Sequence, residues 1–319
     1  MKPKVLVITP IEHINGVREI LESFSDLNII SDPDMEELYP IISDYDAIYT
    51  NPNKSKVYIG KDLLKHASLL KVISTASTGT NHIDKDYTSS EGIEVLSLTE
   101  ERDVITKITS TAEHAFALTM ASLRKIVQSH THSIKGEWDY TNYIGRQMNM
   151  LNIGVLGYGR LGSLYAHYSK SFGANVYALD PYVEIKDEGI KQLDSLKELS
   201  QVSDILSIHV HVNEETKGMI NCRFLGEMKN DVTIINTSRG EIINESDLVS
   251  FLKENKSASF ATDVLTDEIR NRKDSPILNY AKESPDQVTI TQHIGGMTRE
   301  AQEIAYQHAA QMLKSFFKM

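Results

Sequence analysis

The chain of 319 residues is 40% hydrophobic and 24% charged, a globular composition whose length suits about two domains. Thirty-three Lys and Arg against forty-four Asp and Glu leave a net charge of −11, a field that opposes non-specific nucleic-acid binding. One cysteine, Cys222, permits no disulfide framework, and no window nears the ~20 apolar residues that cross a bilayer, so a soluble cytoplasmic protein is expected.

At the N-terminus, residues 5–8 form an apolar run too short for a signal core and without a cleavage site, and they read as a first strand. Short β-branched runs then recur between amphipathic stretches at 47–50, 72–75, 93–97, 153–156, 176–179, 205–208, 232–235 and 288–291. This alternation predicts an α/β chain with parallel sheets, and continuously apolar runs such as 153–156 predict helices on both sheet faces. Two doubly wound units with a cleft between them are expected: residues 1–98, completed by 294–319, and residues 99–293. No Pro/Gly/Ser-rich linker separates them, so the joints should be structured. One is a helix pattern from Ile108 that places Ala112, Ala115, Phe116, Met120 and Leu123 toward a core, after a polar turn at 99–103. The other lies near Gly295 and Gly296. Beyond it, Ala301, Ile304, Ala305, Ala309, Met312 and Phe316 form the stripe of a closing helix expected to pack back on the first domain.

The strongest local pattern is Gly157-Tyr158-Gly159-Arg160-Leu161-Gly162, because it directly follows strand 152–156 and opens a helix. That helix carries Leu161, Leu164, Tyr165, Tyr168 and Phe172 on one face and stops at Gly173; strand 176–179 follows and ends at Asp180. Such a βαβ unit is the Rossmann fingerprint, in which the glycines admit a pyrophosphate at the helix N-terminus. A carboxylate at Asp180 accepts a hydrogen bond from the adenosine ribose 2′-hydroxyl and repels a 2′-phosphate, which favours NAD over NADP.

Further groups suited to acid-base chemistry each follow an apolar strand: Arg239, the Asp263/Glu268 segment, and His293. Strand C-termini of an open α/β sheet face the ligand crevice, so these groups should gather beside a bound nicotinamide. His209 is expected to line the same crevice, with Thr237, two residues before Arg239, assigned to the cofactor. His209 with His211, and His130 with His132, have period-two spacing but no nearby third ligand, so no metal site is expected.

These motifs resemble the D-isomer-specific 2-hydroxy-acid dehydrogenase family over nearly the whole chain. The most specific pieces are residues 157–162 with Asp180, residues 236–240 ending Arg239-Gly240, residues 262–265 with Glu268, and residues 293–296. Residues 77–84 resemble the substrate-carboxylate loop, in the form found in the phosphoglycerate dehydrogenase branch, and Trp138 and the pair Ala112-Glu113 also fit. The resemblance implies that His293 is the general acid/base, Glu268 its partner, Arg239 the substrate anchor, Asp263 a group near the nicotinamide, and Thr78 and Gly79 substrate-binding. Oxidising a secondary alcohol requires removal of its proton as hydride leaves, a task suited to imidazole. A carboxylate partner would orient the ring and favour its charged form, while the Arg239 fork would bind a 2-oxo acid's carboxylate and polarise its carbonyl.

Ile269 stands where the family usually has proline and residues 270–274 are unusually charged, so either Asp267 or Glu268 could pair with His293; Gln292 and His211 also stand where proline is common, and neither removes a reacting group. Lys54 and Lys56 occupy a region where phosphoglycerate relatives place basic residues, and either an ordinary solvated loop or a phosphate contact fits them. A homodimer through the coenzyme domain is implied by the resemblance. The short segment after His293 gives no expectation of a fused C-terminal regulatory domain. The expected function is hydride transfer between NAD and a small D-2-hydroxy acid or 2-oxo acid, with or without a phosphate; the alternative is a non-catalytic NADH sensor on the same fold.

Overall fold

The computed structural model describes residues 2–52 and 56–317, and the chain divides into two compact units, residues 1–108 with 296–319 and residues 109–295. The first unit thus runs to Ile108 instead of ending at residue 98. The segment read as a polar turn is helical at Leu98–Glu100 and Arg102–Ile105, and Leu98, Ile105 and Ile108 join the apolar cluster that contains Val5, Tyr49 and Ala309. The return crossing falls after Gly295 rather than after 293, because the amides of Ile294 and Gly295 are hydrogen-bonded to Asp263 of the second unit.

In the first unit, strands β1 (Lys4–Val7), β2 (Asp26–Ile29), β3 (Ala47–Thr50), β4 (Val72–Thr75) and β5 (Glu94–Leu96) form a parallel sheet in the order β2-β1-β3-β4-β5. The edge strand β2 was not expected; its residues are half-buried or exposed, so it lacks the continuous apolar run of β3 or β4. The closing helix Arg299–Phe317 buries Ala301, Ala305, Tyr306, Ala309, Ala310 and Leu313, whereas Ile304, Met312 and Phe316 are only half-buried. The buried stripe is rotated toward its alanines because small side chains let the helix backbone approach the sheet. Tyr49 donates its hydroxyl to the Tyr306 carbonyl (2.7 Å) and Ser74 donates to the Ala309 carbonyl (2.9 Å).

The second unit holds β6 (Asn152–Leu156), β7 (Asn175–Leu179), β8 (Ile190–Gln192), β9 (Ile205–Ile208), β10 (Thr233–Asn236), β11 (Ser259–Thr262) and β12 (Val288–Ile290), in the order β12-β11-β10-β9-β6-β7-β8. All six pairings are parallel, and two apolar clusters cover the sheet's two faces. Strand order reverses between β6 and β9, so the switch-point crevice opens beside the C-terminal ends of these two strands.

Register decides what gathers there. Leu179, Leu156, Ile208, Asn236, Thr262 and Ile290 are successive partners across the sheet. The residue following each therefore lies in one row along the C-terminal edge: Asp180, Gly157, His209, Thr237, Asp263 and Thr291. Backbone bonds extend the ladder into this row, from His209 N–H to the Leu156 carbonyl (2.7 Å) and from Asp263 N–H to the Asn236 carbonyl (3.0 Å).

Candidate active site

At Gly157 the backbone turns into the left-handed region (φ +89°), and Gly159 precedes the helix Arg160–Ser171. A Cβ added to Gly162 would lie 2.0 Å from the Gly157 carbonyl oxygen, so helix and turn meet at a distance only glycine allows. A Cβ on Gly159 would meet nothing within 4 Å, and the space over it is open. The first amides of an α-helix have no intrahelical acceptor, so this N-terminus suits an anion.

The Asp180 carboxylate accepts from the Tyr158 amide (2.8 Å) on one oxygen and from the Tyr182 amide (2.9 Å) on the other. Each oxygen keeps a lone pair, enough to accept from ribose hydroxyls. Tyr158 is tied to the glycine turn through its backbone only. Its ring is buried in the core, its hydroxyl donates to Asp187 (2.6 Å), and burial pushes the phenol well above its usual range. Leu161 and Arg160 are half-buried in the first helical turn, and burial lowers the Arg160 guanidinium.

Across the switch point, the His209 ring contacts Tyr165 (5.1 Å between centroids), and its Nε2 lies 2.8 Å from Ser207 Oγ. Burial pushes its pKa down to about 3, so it stands neutral at physiological pH. Thr237 Oγ1 is buried without a hydrogen-bond partner among the described residues. A buried hydroxyl of this kind calls for a ligand or water partner. The open space over Gly159, the residual acceptors of Asp180 and this orphaned hydroxyl together fit a dinucleotide along the row.

Three loops leaving the sheet carry Arg239, Glu268 and His293. After β10, the Asn236 side chain closes a turn, donating to the Arg239 carbonyl (2.9 Å) and accepting from the Ser238 amide (3.0 Å). A Cβ on Gly240 would strike the Leu265–Thr266 peptide at 2.1 Å, so the backbone next to Arg239 in sequence packs against the loop that carries Glu268. Burial lowers the Arg239 guanidinium, opposed by the charges of Glu268 and Glu241.

His293 Nδ1 lies 2.5 Å from Glu268 Oε1. Asp267 takes no part in this pairing: it turns left-handed (φ +50°) and binds Arg270 and Asn271, each at 2.9 Å. His293 is itself left-handed (φ +54°), and Asp263 holds that turn. The Asp263 carbonyl accepts from His293 N–H (2.9 Å), Oδ1 accepts from the Ile294 amide (2.9 Å) and Thr291 Oγ1 (2.5 Å), and Oδ2 accepts from the Gly295 amide (2.7 Å). Burial alone would raise this carboxyl, but hydrogen bonds from His114, Thr291 and the two amides outweigh it and keep the group below the usual carboxylate range.

Sequence reading missed two residues here. Glu245 accepts from Thr266 N–H (2.9 Å) and Ser275 Oγ (2.6 Å), bracing both ends of the Glu268 loop. In sequence it is only an acid in a helix's first turn, the ordinary place for one. His114, on the helix Ser110–Leu123, reaches Asp263 and Thr291 from far along the chain, and only its helical phase toward the core could have marked it.

Thr78 and Gly79 belong to the first unit, just beyond β4. Ser77 Oγ donates to the Gly79 carbonyl (2.7 Å) and Thr99 Oγ1 to the Thr78 carbonyl (2.8 Å), which fixes the turn. Lys54 lies outside the described residues, and Lys56 pairs with Asp32 at 3.0 Å.

The sequence model of the D-isomer specific 2-hydroxyacid dehydrogenase NAD binding domain matches residues 116–295. The D-3-phosphoglycerate dehydrogenase of Methanocaldococcus jannaschii is 30% identical over 318 residues, covering 99% of this chain but 57% of the relative. The chain thus spans a little over half of that relative's length. The glyoxylate reductase of Thermococcus litoralis is 30% identical over 330 residues, covering 100% of this chain and 95% of the relative. Among solved structures, a D-lactate dehydrogenase from Aquifex aeolicus complexed with NAD and lactic acid superposes with a TM-score of 0.80 at 28% identity, covering 99% of this chain and 95% of that one. An acyclic imino acid reductase in complex with NADPH and D-Arg superposes with a TM-score of 0.78 at 27% identity, covering 98% and 96%. With its glycine turn, aligned strand ends and His293–Glu268 pair, the chain belongs to the D-isomer specific 2-hydroxyacid dehydrogenase family.

Proposed function

We propose that the protein is an NAD-dependent oxidoreductase that interconverts a small D-2-hydroxy acid and its 2-oxo acid. The observation that carries this reading is the His293–Glu268 pair on the sheet that bears the glycine turn, with Arg239 close enough for the Glu268 charge to act on it. Bound nicotinamide would supply or accept the hydride. In the reducing direction, His293 gives its Nε2 proton to the substrate carbonyl oxygen, because Nδ1 is committed to Glu268. Glu268 holds the ring's orientation and balances its charge. Arg239 binds the substrate carboxylate and polarises the carbonyl, and Thr78 and Gly79 are proposed as further substrate contacts. Asp180, with acceptors but no donor, favours NADH over NADPH.

A nicotinamide sensor would have no use for the His293–Glu268 pair, and the similar proteins are named for enzyme activities. We also propose a cytoplasmic homodimer formed through the coenzyme unit. Supporting it, five large apolar side chains, Ile134, Trp138, Tyr140, Ile144 and Met150, are exposed within residues 134–150 of that unit. No helix among the described residues is long and apolar enough to cross a membrane.

The test is oxidation of NADH or NADPH with glyoxylate, pyruvate, hydroxypyruvate and 3-phosphohydroxypyruvate, each with wild type and His293→Asn. Turnover with NADH preferred is expected, and the variant should lose about 10²- to 10⁴-fold in kcat while NADH affinity stays within about twofold. Tight NADH binding with no turnover of any 2-oxo acid, or equal turnover in the variant, would refute the proposal.

A further inference from the structure

The backbone of His293 is left-handed, a conformation that disfavours side chains bearing a Cβ, so something must hold it. Three successive amides, those of residues 293, 294 and 295, all donate to Asp263, the first to its carbonyl and the others to its two carboxylate oxygens. The grip works only if the carboxylate is fixed in rotation about its side-chain bonds. Besides these amides, Thr291 Oγ1 lies 2.5 Å from Oδ1, and His114 Nε2 lies 3.3 Å from Oδ1 and 2.9 Å from Thr291 Oγ1.

The donor roles follow from valence. Asp263 is buried, at 2% exposure, and is held below the usual carboxylate range, so it is an acceptor only. Thr291 has a single hydroxyl proton, which it donates to Asp263 Oδ1 across the short contact. The Thr291 oxygen is then an acceptor toward His114, and Nε2 must carry a hydrogen shared between Thr291 and Asp263.

We infer that His114 is a positioning residue for the reaction: through its Nε2–H it locks the Asp263 carboxylate, which in turn holds the left-handed turn that aims His293 at the substrate. This rests on the functional reading above, yet the lock exists without substrate. His114 enters from a separate helix, so its loss leaves every backbone contact of the 291–295 turn formally possible and removes only the restraint on the carboxylate. Misaiming a proton donor lowers the rate of chemistry more than it lowers ligand binding.

The experiment combines side-chain ¹⁵N spectra of the full chain without ligand and steady-state kinetics, on wild type, His114→Leu, His114→Gln and His114→Asn. Glutamine can place an amide N–H near the Nε2 position, whereas asparagine is too short and leucine has no donor. His114 is expected as the Nε2–H tautomer. The downfield Nδ1 proton of His293 should persist in wild type and the glutamine variant but broaden or vanish in the other two. Kinetically, the leucine and asparagine variants should lose about tenfold in kcat with KM and NADH affinity within about twofold, and glutamine should recover most of the loss. His114 protonated on Nδ1 alone overturns the inference, as does a leucine or asparagine variant that keeps both the downfield proton and wild-type kcat. If leucine does not fold, the asparagine and glutamine pair decides. If wild type turns over no 2-oxo acid, the functional reading fails, and the spectra still decide the role of His114.

Discussion

Gly162 and Gly159 share one motif, yet the structure assigns them different constraints, and alanine at each separates the two. At Gly162 a Cβ would sit 2.0 Å from the Gly157 carbonyl oxygen and 3.2 Å from His209 Cβ, where ordinary contact begins near 3.4 Å. The obstacle is backbone on the turn itself, so the helix must move off the turn by roughly 1 Å, a strain at the upper end of the ~1–3 kcal/mol typical of overpacking. For a folded unit of this size each kcal/mol is worth about 2–4 °C, which predicts a melting temperature lower by about 6–12 °C in Gly162→Ala. The same displacement pulls the helix N-terminal amides away from the pyrophosphate position, and an NADH affinity weaker by about 10- to 100-fold is expected, or ~1.4–2.8 kcal/mol. At Gly159 the backbone is extended (φ −76°, ψ −162°) and a Cβ meets nothing, so Gly159→Ala should melt within about 2 °C of wild type and lose NADH affinity because its methyl occupies ligand space. Differential scanning calorimetry and titration of NADH by quenching of protein fluorescence measure both quantities. A Gly162→Ala protein that melts and binds NADH like wild type would refute the steric argument, and a Gly159→Ala protein with full NADH affinity would refute the placement of the pyrophosphate.

Two other outcomes are expected. His209 is pushed by burial from 6.5 to about 3, so above pH 6.5 both folded and unfolded states leave it neutral, and as pH falls toward 3 only the unfolded state takes up the proton. Stability should therefore decline through that window, and more steeply in wild type than in His209→Gln; equal urea midpoints for the two from pH 6.5 to 4.5 would contradict it. Trp138 is the single tryptophan and is 92% exposed, so in the proposed homodimer its emission should shift to the red on dilution as sedimentation falls from twice 35.9 kDa toward the chain mass. Emission independent of concentration in a protein sedimenting as one chain would refute the dimer.

The sequence by itself determined the α/β class, the central strands and the glycine turn, because each rests on local chemistry: continuous apolar runs for strands buried on both faces, and glycine where backbone must approach backbone. It missed two of the four edge strands. Strands β2 and β8 are partly exposed, so they carry no continuous apolar run, and neighbouring strands rather than their own composition recruit them. The order of Arg239, Glu268 and His293 was legible, but whether Asp267 or Glu268 meets His293 was not, since adjacent residues differ only in the direction the loop gives them. The left-handed turn at Asp267 settled that. Only the tertiary structure showed that Asp263 grips three amides of the His293 turn and that His114 steadies it from another helix. Such contacts depend on strand register and helix phase across more than a hundred residues, and these are fixed by packing the whole unit, which no local pattern encodes.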